Sequence, residues 1–154
     1  MFPRLKSQDG FTLAELVIAL AVVGIMVGAF TATRSVVESA RVSSAVQAVE
    51  TIAGGAVQYA MSRPDGRYSG LSWSSITSQG LVPPDLMYPR RNNPWGGYYN
   101  VWDDCGSSCF TVQLAYNVPR AAADRIRNTF SRKASTWQSN YTGCCAHVQL
   151  RFDR

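Results

Sequence analysis

The chain has 154 residues, which suits one compact domain with an appendage and leaves no room for two sizeable cores. Fifteen Lys and Arg against ten Asp and Glu give a net charge of +5. The basic residues are scattered from Arg34 to Arg151, as solvated faces would place them, so nucleic acid is not an expected partner. The lone histidine, His147, leaves no His-based triad, and no catalytic residue is assigned.

The chain opens on MFPRLKSQDG, with Arg4 and Lys6, and then turns apolar. Residues 11–32 are apolar apart from Thr12, Glu15 and Thr31. As a helix they span about 33 Å, enough to cross a bilayer. The basic start should stay cytoplasmic while the carboxyl-terminal remainder faces outward. An ordinary secretory signal has a similar start, and Val27-Gly28-Ala29 would serve as its cleavage site. Glu15 argues against that reading. A carboxylate in such a segment costs up to about 2.5 to 3.5 kcal/mol at the helix centre, so a purely targeting segment should not carry one. Gly24 and Gly28, four apart and extended by Ala21 and Ala32, form a small-residue face that lets helices approach closely.

Beyond Thr33, apolar residues recur at helical spacing, from Val36 through Ala45, Val49, Ile52 and Ala56 to Ala60. A helix from Thr12 to Met61 would be roughly 75 Å long, half in the membrane and half the spine of a head domain. Gly54-Gly55 is expected to bend it, and Arg63-Pro64-Asp65-Gly66 to end it. A short helix follows, capped by Ser72 and stopped by Gly80, then an extended loop through Pro83-Pro84. A turn cluster at Asn92 to Gly97 leads into strands at Tyr98 to Trp102 and Phe110 to Tyr116. Pro119 opens a helix reaching Ala134, with Ala122, Ile126 and Phe130 on its buried side, and Ala146 to Phe152 is the closing strand. This order predicts an α+β fold, an antiparallel sheet laid on a helical spine, with the aromatic residues packed in the core.

Cys105, Cys109, Cys144 and Cys145 all fall in the last third, which the apolar segment would carry out of the cytoplasm. An even count there favours disulfides. The adjacent pair would bridge one another only with strain, so two bridges are expected, each joining the 105–109 loop to the 144–145 turn, with the connectivity left open. The spacing lacks the C-x2-C pattern suited to zinc. Asp103 and Asp104 fall short of the ligand number calcium takes, and nothing around Gly96-Gly97 resembles a phosphate loop. No metal or cofactor is expected.

Gly10 followed by Phe11-Thr12-Leu13-Ala14-Glu15-Leu16 resembles the class III signal of type IV pilins and pseudopilins. The resemblance implies that prepilin peptidase cuts between Gly10 and Phe11, that the new amino group of Phe11 is methylated, and that the apolar stretch is kept. Loss of residues 1–10 removes Arg4, Lys6 and Asp9 and leaves a net charge of +4. In the family the acid four residues past the cut neutralises a neighbouring subunit's amino terminus, a role that carries over to Glu15. An ammonium and a carboxylate in a dry filament core are each expensive alone, and pairing offsets the desolvation. Gly24 and Gly28 would pack against neighbouring subunits. Many relatives have a proline late in this segment, whereas none lies between Phe11 and Ser62 here.

In the head, Tyr68-Ser69-Gly70-Leu71, Gly80-Leu81-Val82-Pro83, Asn93-Pro94-Trp95-Gly96-Gly97 and Val118-Pro119 resemble type IVb pilins of the thin-pilus and bundle-forming kind. Leaders in that group are usually longer, and its members tend to carry a cysteine on the late helix, where Ala121 to Arg127 has none. The implied organisation is a cleaved leader at 1–10, a transmembrane and filament-core helix at 11–33, and a head at 34–154. The implied protein is a homo-oligomeric subunit of a helical filament. It would be held in inner-membrane lipid, polymerised by inner-membrane assembly machinery, and displayed as an extracellular pilus for adhesion, aggregation, motility or conjugative contact. A minor pilin, a type II secretion pseudopilin and a DNA-uptake pilin share the same leader.

Overall fold

The computed structural model describes residues 11–87, 92–137, 141–142 and 145–153. The helices are α1 (Leu13–Met61), α2 (Trp73–Ser78) and α3 (Arg120–Phe130), with 3-10 turns at Pro84–Leu86 and Cys105–Ser107. The strands are β1 (Tyr98–Asp104), β2 (Cys109–Pro119), β3 (Ser135–Trp137), β4 (Tyr141–Thr142) and β5 (Cys145–Asp153). The chain divides into two units, Met1–Val37 and Glu38–Arg154.

In the first unit the helix is apolar all round and exposed. Leu16, Ile18, Leu20, Ile25, Met26 and Phe30 are all exposed large hydrophobics. A helix of that kind belongs in an apolar medium, and α1 is long and apolar enough to cross a membrane. The apolar run closes at Arg34, whose guanidinium lies over the Phe30 ring, 4.5 Å from its centroid.

In the second unit α1 becomes one-sided. Ala45, Val49, Ile52, Ala56 and Tyr59 recur every three or four residues and are buried. They meet Tyr99 and Val101 of β1, Val112 and Leu114 of β2, and Val148 and Leu150 of β5 in one core, closed by Ala122, Ile126 and Phe130 of α3. The strand order is β1-β2-β5-β3, with β4 also paired to β5, and every described pairing is antiparallel. The α+β expectation therefore holds.

Gly54-Gly55 does not end or interrupt α1, which continues to Met61. Of the two, Gly55 makes room for a neighbour. A Cβ on Gly55 would lie 2.6 Å from the carbonyl oxygen of Leu81, so glycine lets the loop after α2 settle on the helix. At the helix end Asp65 accepts from the Arg67 N–H at 3.1 Å and from Arg63 Nε at 3.3 Å. The backbone bond above all, and then the guanidinium, hold its carboxyl below the ordinary value. Ser72 caps α2 in a capping box with Ser75, as the sequence suggests.

Three elements differ from expectation. The second strand runs on to Pro119 through an irregularity between Leu114 and Val118, where Tyr116 and Asn117 take left-handed φ of 59° and 60°. The late helix stops at Phe130, whose carbonyl accepts from Lys133 N and Ala134 N, both at 2.9 Å. Strands β3 and β4, of three and two residues, are too short for a period-2 pattern to register.

Candidate functional site

Gly10, the expected cleavage residue, lies outside the described residues. Phe11 is 89% exposed. The next residue, Thr12, precedes α1 and is tied to Glu15. Its backbone N–H donates to Glu15 Oε2 at 2.8 Å, its hydroxyl donates to the same oxygen at 2.9 Å, and Glu15 N–H donates back to Thr12 Oγ1 at 3.3 Å. This is a capping box, legible as T-x-x-E before an apolar run but missed in the sequence reading. The carboxylate sits in the first turn of α1, where the helix dipole favours negative charge. Further along, a Cβ on Gly24 or Gly28 would meet nothing within 4 Å, so that face is open within the chain.

The expected bridges between the two cysteine clusters are corrected by the sheet. Cys105 and Cys109 bond to each other, with Cα atoms 5.4 Å apart. Left-handed backbone at Cys105, Gly106 and Ser107 (φ 52°, 62° and 71°) turns the chain between β1 and β2 tightly enough to bring the two sulfurs together. The β2–β5 ladder shows why neither reaches the other cluster: Cys109 pairs with Asp153, while Cys145 pairs with Pro119, ten residues away along β2. Along β5 the same span is eight residues, roughly 26 Å at the strand rise, against the few ångströms a disulfide can span. Cys144 and the side chain of Cys145 lie outside the described residues.

A tryptic map without reduction tests this directly. Residues 92–120 contain no internal Lys or Arg and hold both Cys105 and Cys109, whereas residues 134–151 hold Cys144 and Cys145. The two peptides are expected to run separately, with 92–120 lighter by two hydrogens. A species containing both would restore the inter-cluster bridge.

Asp104 and the two sulfurs form a cluster with ligand atoms within 4.8 Å of one another, but the bridge engages both sulfurs. Both acids of this loop hold structure. Asp103 accepts from Gly70 N at 3.2 Å and Ser107 Oγ at 3.4 Å, and Asp104 from Cys105 N at 2.9 Å and Thr111 Oγ1 at 3.0 Å. His147 lies edge-on to Tyr116, ring centroids 4.8 Å apart.

At the other end of β2, Asn93 is 3% exposed and its side chain makes four hydrogen bonds. Its Nδ2 donates to the carbonyls of Ala115 (3.0 Å) and Tyr116 (3.3 Å), and its Oδ1 accepts from Trp95 N and Gly97 N, both at 3.0 Å. A turn seen in the sequence only as a break is thus a clamp on the irregular part of β2.

Residues 5–31 match the family described as Prokaryotic N-terminal methylation motif. No curated protein and no solved structure matched the chain. That motif on a long apolar helix, with a disulfide-bearing antiparallel head, matches a type IV pilin-like fold, which belongs to a structural, non-catalytic class of protein. The motif implies processing by a prepilin peptidase-type enzyme, and the apolar helix supports an initial association with the membrane.

Proposed function

We propose that this chain is cut between Gly10 and Phe11, methylated on Phe11, and polymerised from the inner membrane into an extracellular type IV pilus. The observation that carries the reading is an apolar helix exposed all round from Leu13 to Phe30, with a single acid, Glu15, in its first turn. Such a surface needs lipid before assembly and other copies of itself afterwards. Residues 11–33 would form the filament core, with Gly24 and Gly28 at the helix contacts, and residues 34–154 the displayed head. The turn motifs of the head favour a type IVb-like subunit.

In the pool of subunits Glu15 has Thr12 as its partner. On joining a fibre, its carboxylate would take up the Phe11 ammonium of a neighbour, so that neither charge is buried alone. Recovery of methylated Phe11 in quantity from sheared surface fibres is the expected result. Recovery only in trace amounts would instead mark a minor pilin or a pseudopilin, and an amino terminus elsewhere would refute the processing site. Replacing Gly10 with a bulky residue should leave the uncut precursor in the inner membrane. Normal processing of Gly10→Trp would count against the leader assignment.

A further inference from the structure

At one end of the head, aromatic residues share a rim. Trp95 is half-buried, and its indole N–H donates to Glu38 Oε1 at 3.0 Å. Tyr116 is 52% exposed, and its ring meets those of Tyr98 (centroids 5.5 Å apart) and His147 (4.8 Å). Buried Asn93 ties the two exposed sides together, since its Oδ1 accepts from Trp95 N and its Nδ2 donates to the Tyr116 carbonyl. Trp and Tyr each have an apolar body with one polar tip, the combination that gathers at a lipid–water interface.

The charges beside this rim are basic in sum. Between residues 38–41 of α1 and residues 120–127 of α3, Arg41, Arg120, Arg125 and Arg127 stand against Glu38 and Asp124. The carboxylates are already matched: Glu38 pairs with Arg41 at 3.8 Å and Asp124 with Arg127 at 3.6 Å. Arg125 is exposed, and its Nη1 donates to a neutral group, the Ser39 hydroxyl, at 3.5 Å. Its charge therefore has no carboxylate against it among the described residues.

The course of the chain names the partner. Glu38 is the first residue of this unit, so the rim lies at the end of the head from which the apolar segment departs. Glu38 follows Ala32, the last residue of the apolar run, by six residues. That is about 9 Å of helix, against a headgroup layer of about 5 to 8 Å on each side of the hydrocarbon. A chain whose apolar run fills the hydrocarbon thus brings Glu38, and Trp95 bonded to it, to the outer edge of the headgroups, within reach of a long arginine side chain. We infer that this rim rests on anionic phospholipid headgroups while the subunit is in the membrane, with Trp95 and Tyr116 at the interface and Arg125 on the phosphates. The inference rests on the membrane reading of residues 11–33 and gives the head a seat there.

The test uses the full chain in vesicles of phosphatidylcholine, alone or in equal parts with phosphatidylglycerol, each doped with a lipid carrying a nitroxide on its headgroup. A nitroxide quenches nearby tryptophan, and Trp95→Phe separates Trp95 from the other three tryptophans. Quenching should be stronger with phosphatidylglycerol, and Trp95→Phe should lose most of it. Arg125→Gln should lower the ratio of seated to free heads roughly fivefold, the effect of one basic residue at an anionic surface, without lowering the melting temperature. High salt should weaken the seat in the same way. Equal quenching in the two lipids, or quenching unchanged in Trp95→Phe, would overturn the seat and leave the chain in the membrane. Quenching governed by the protein-to-lipid ratio would assign the rim to a second copy, and relief by duplex DNA would assign it to nucleic acid; either result overturns the inference. Release of the chain from the vesicles by alkaline carbonate would overturn the membrane reading, and the seat with it.

Discussion

Glu15→Ala is expected to insert into the membrane normally and to yield almost no surface fibre. Insertion should not suffer, because removing an acid from an apolar segment lowers the cost of burying it. Assembly should, because the neighbour's Phe11 ammonium would enter the filament core unpaired, a penalty of roughly 3–5 kcal/mol for each subunit added. The capping box offers a rival explanation that a second variant separates. Glu15→Gln keeps an oxygen able to accept from Thr12 but carries no charge. If charge neutralisation is the role of Glu15, both variants lose fibres while the membrane pool stays full. If capping is the role, Glu15→Gln assembles and only Glu15→Ala fails. Immunoblots of sheared material and membrane fractions read both outcomes, and wild-type fibre yield from Glu15→Ala would end the assignment.

Gly97→Val should unfold the head. A Cβ there would overlap the carbonyl oxygens of Ala115 and Tyr116 and approach Asn93 Nδ2 to 2.7 Å, so the added carbon meets backbone that has nowhere to move. The displaced groups belong to one clamp: Asn93 would lose its bonds to β2 and leave buried amide and carbonyl groups unpaired. Overpacking together with unsatisfied polar groups should lower stability by about 3 kcal/mol or more. Gly96 is the control. It has φ of 82° but open space around its Cβ position, so Gly96→Ala meets only backbone strain, about 1 kcal/mol. Thermal melts of the full chain in detergent should rank Gly97→Val far below Gly96→Ala. Similar melts would show that the close approach at Gly97 is not a constraint.

The amino-terminal third was legible in the sequence because its determinants are linear. A basic start, a glycine ahead of an unbroken apolar run and one acid at a set distance are read along the chain, and T-x-x-E was there to be read as well. The one-sided pattern expected beyond Thr33 announced the spine in the same way, since helical period needs no knowledge of partners, although Val36 and Val37 at its start are exposed. In the head, local signals placed α2, β1, most of β2, α3 and β5, while β3 and β4 borrow their structure from β5 and have too few residues to show it themselves.

The disulfide was misjudged because two cysteine clusters near in sequence rank need not be near in space. Only the antiparallel register, with Cys109 opposite Asp153 and Cys145 opposite Pro119, shows that they lie at the two ends of one ladder. The same holds for the glycines. Gly54-Gly55 read as a bend and Gly96-Gly97 as a turn, yet Gly55 and Gly97 are needed because backbone from elsewhere, at Leu81 and at Ala115 and Tyr116, passes where a side chain would stand. The sequence by itself determined the membrane helix, its acid and the class of protein, since those depend on composition and spacing along one helix. The tertiary structure alone decided which cysteines bond, which glycines are obligatory and which ring is held out to solvent, since each depends on strand register and on atoms remote in the chain.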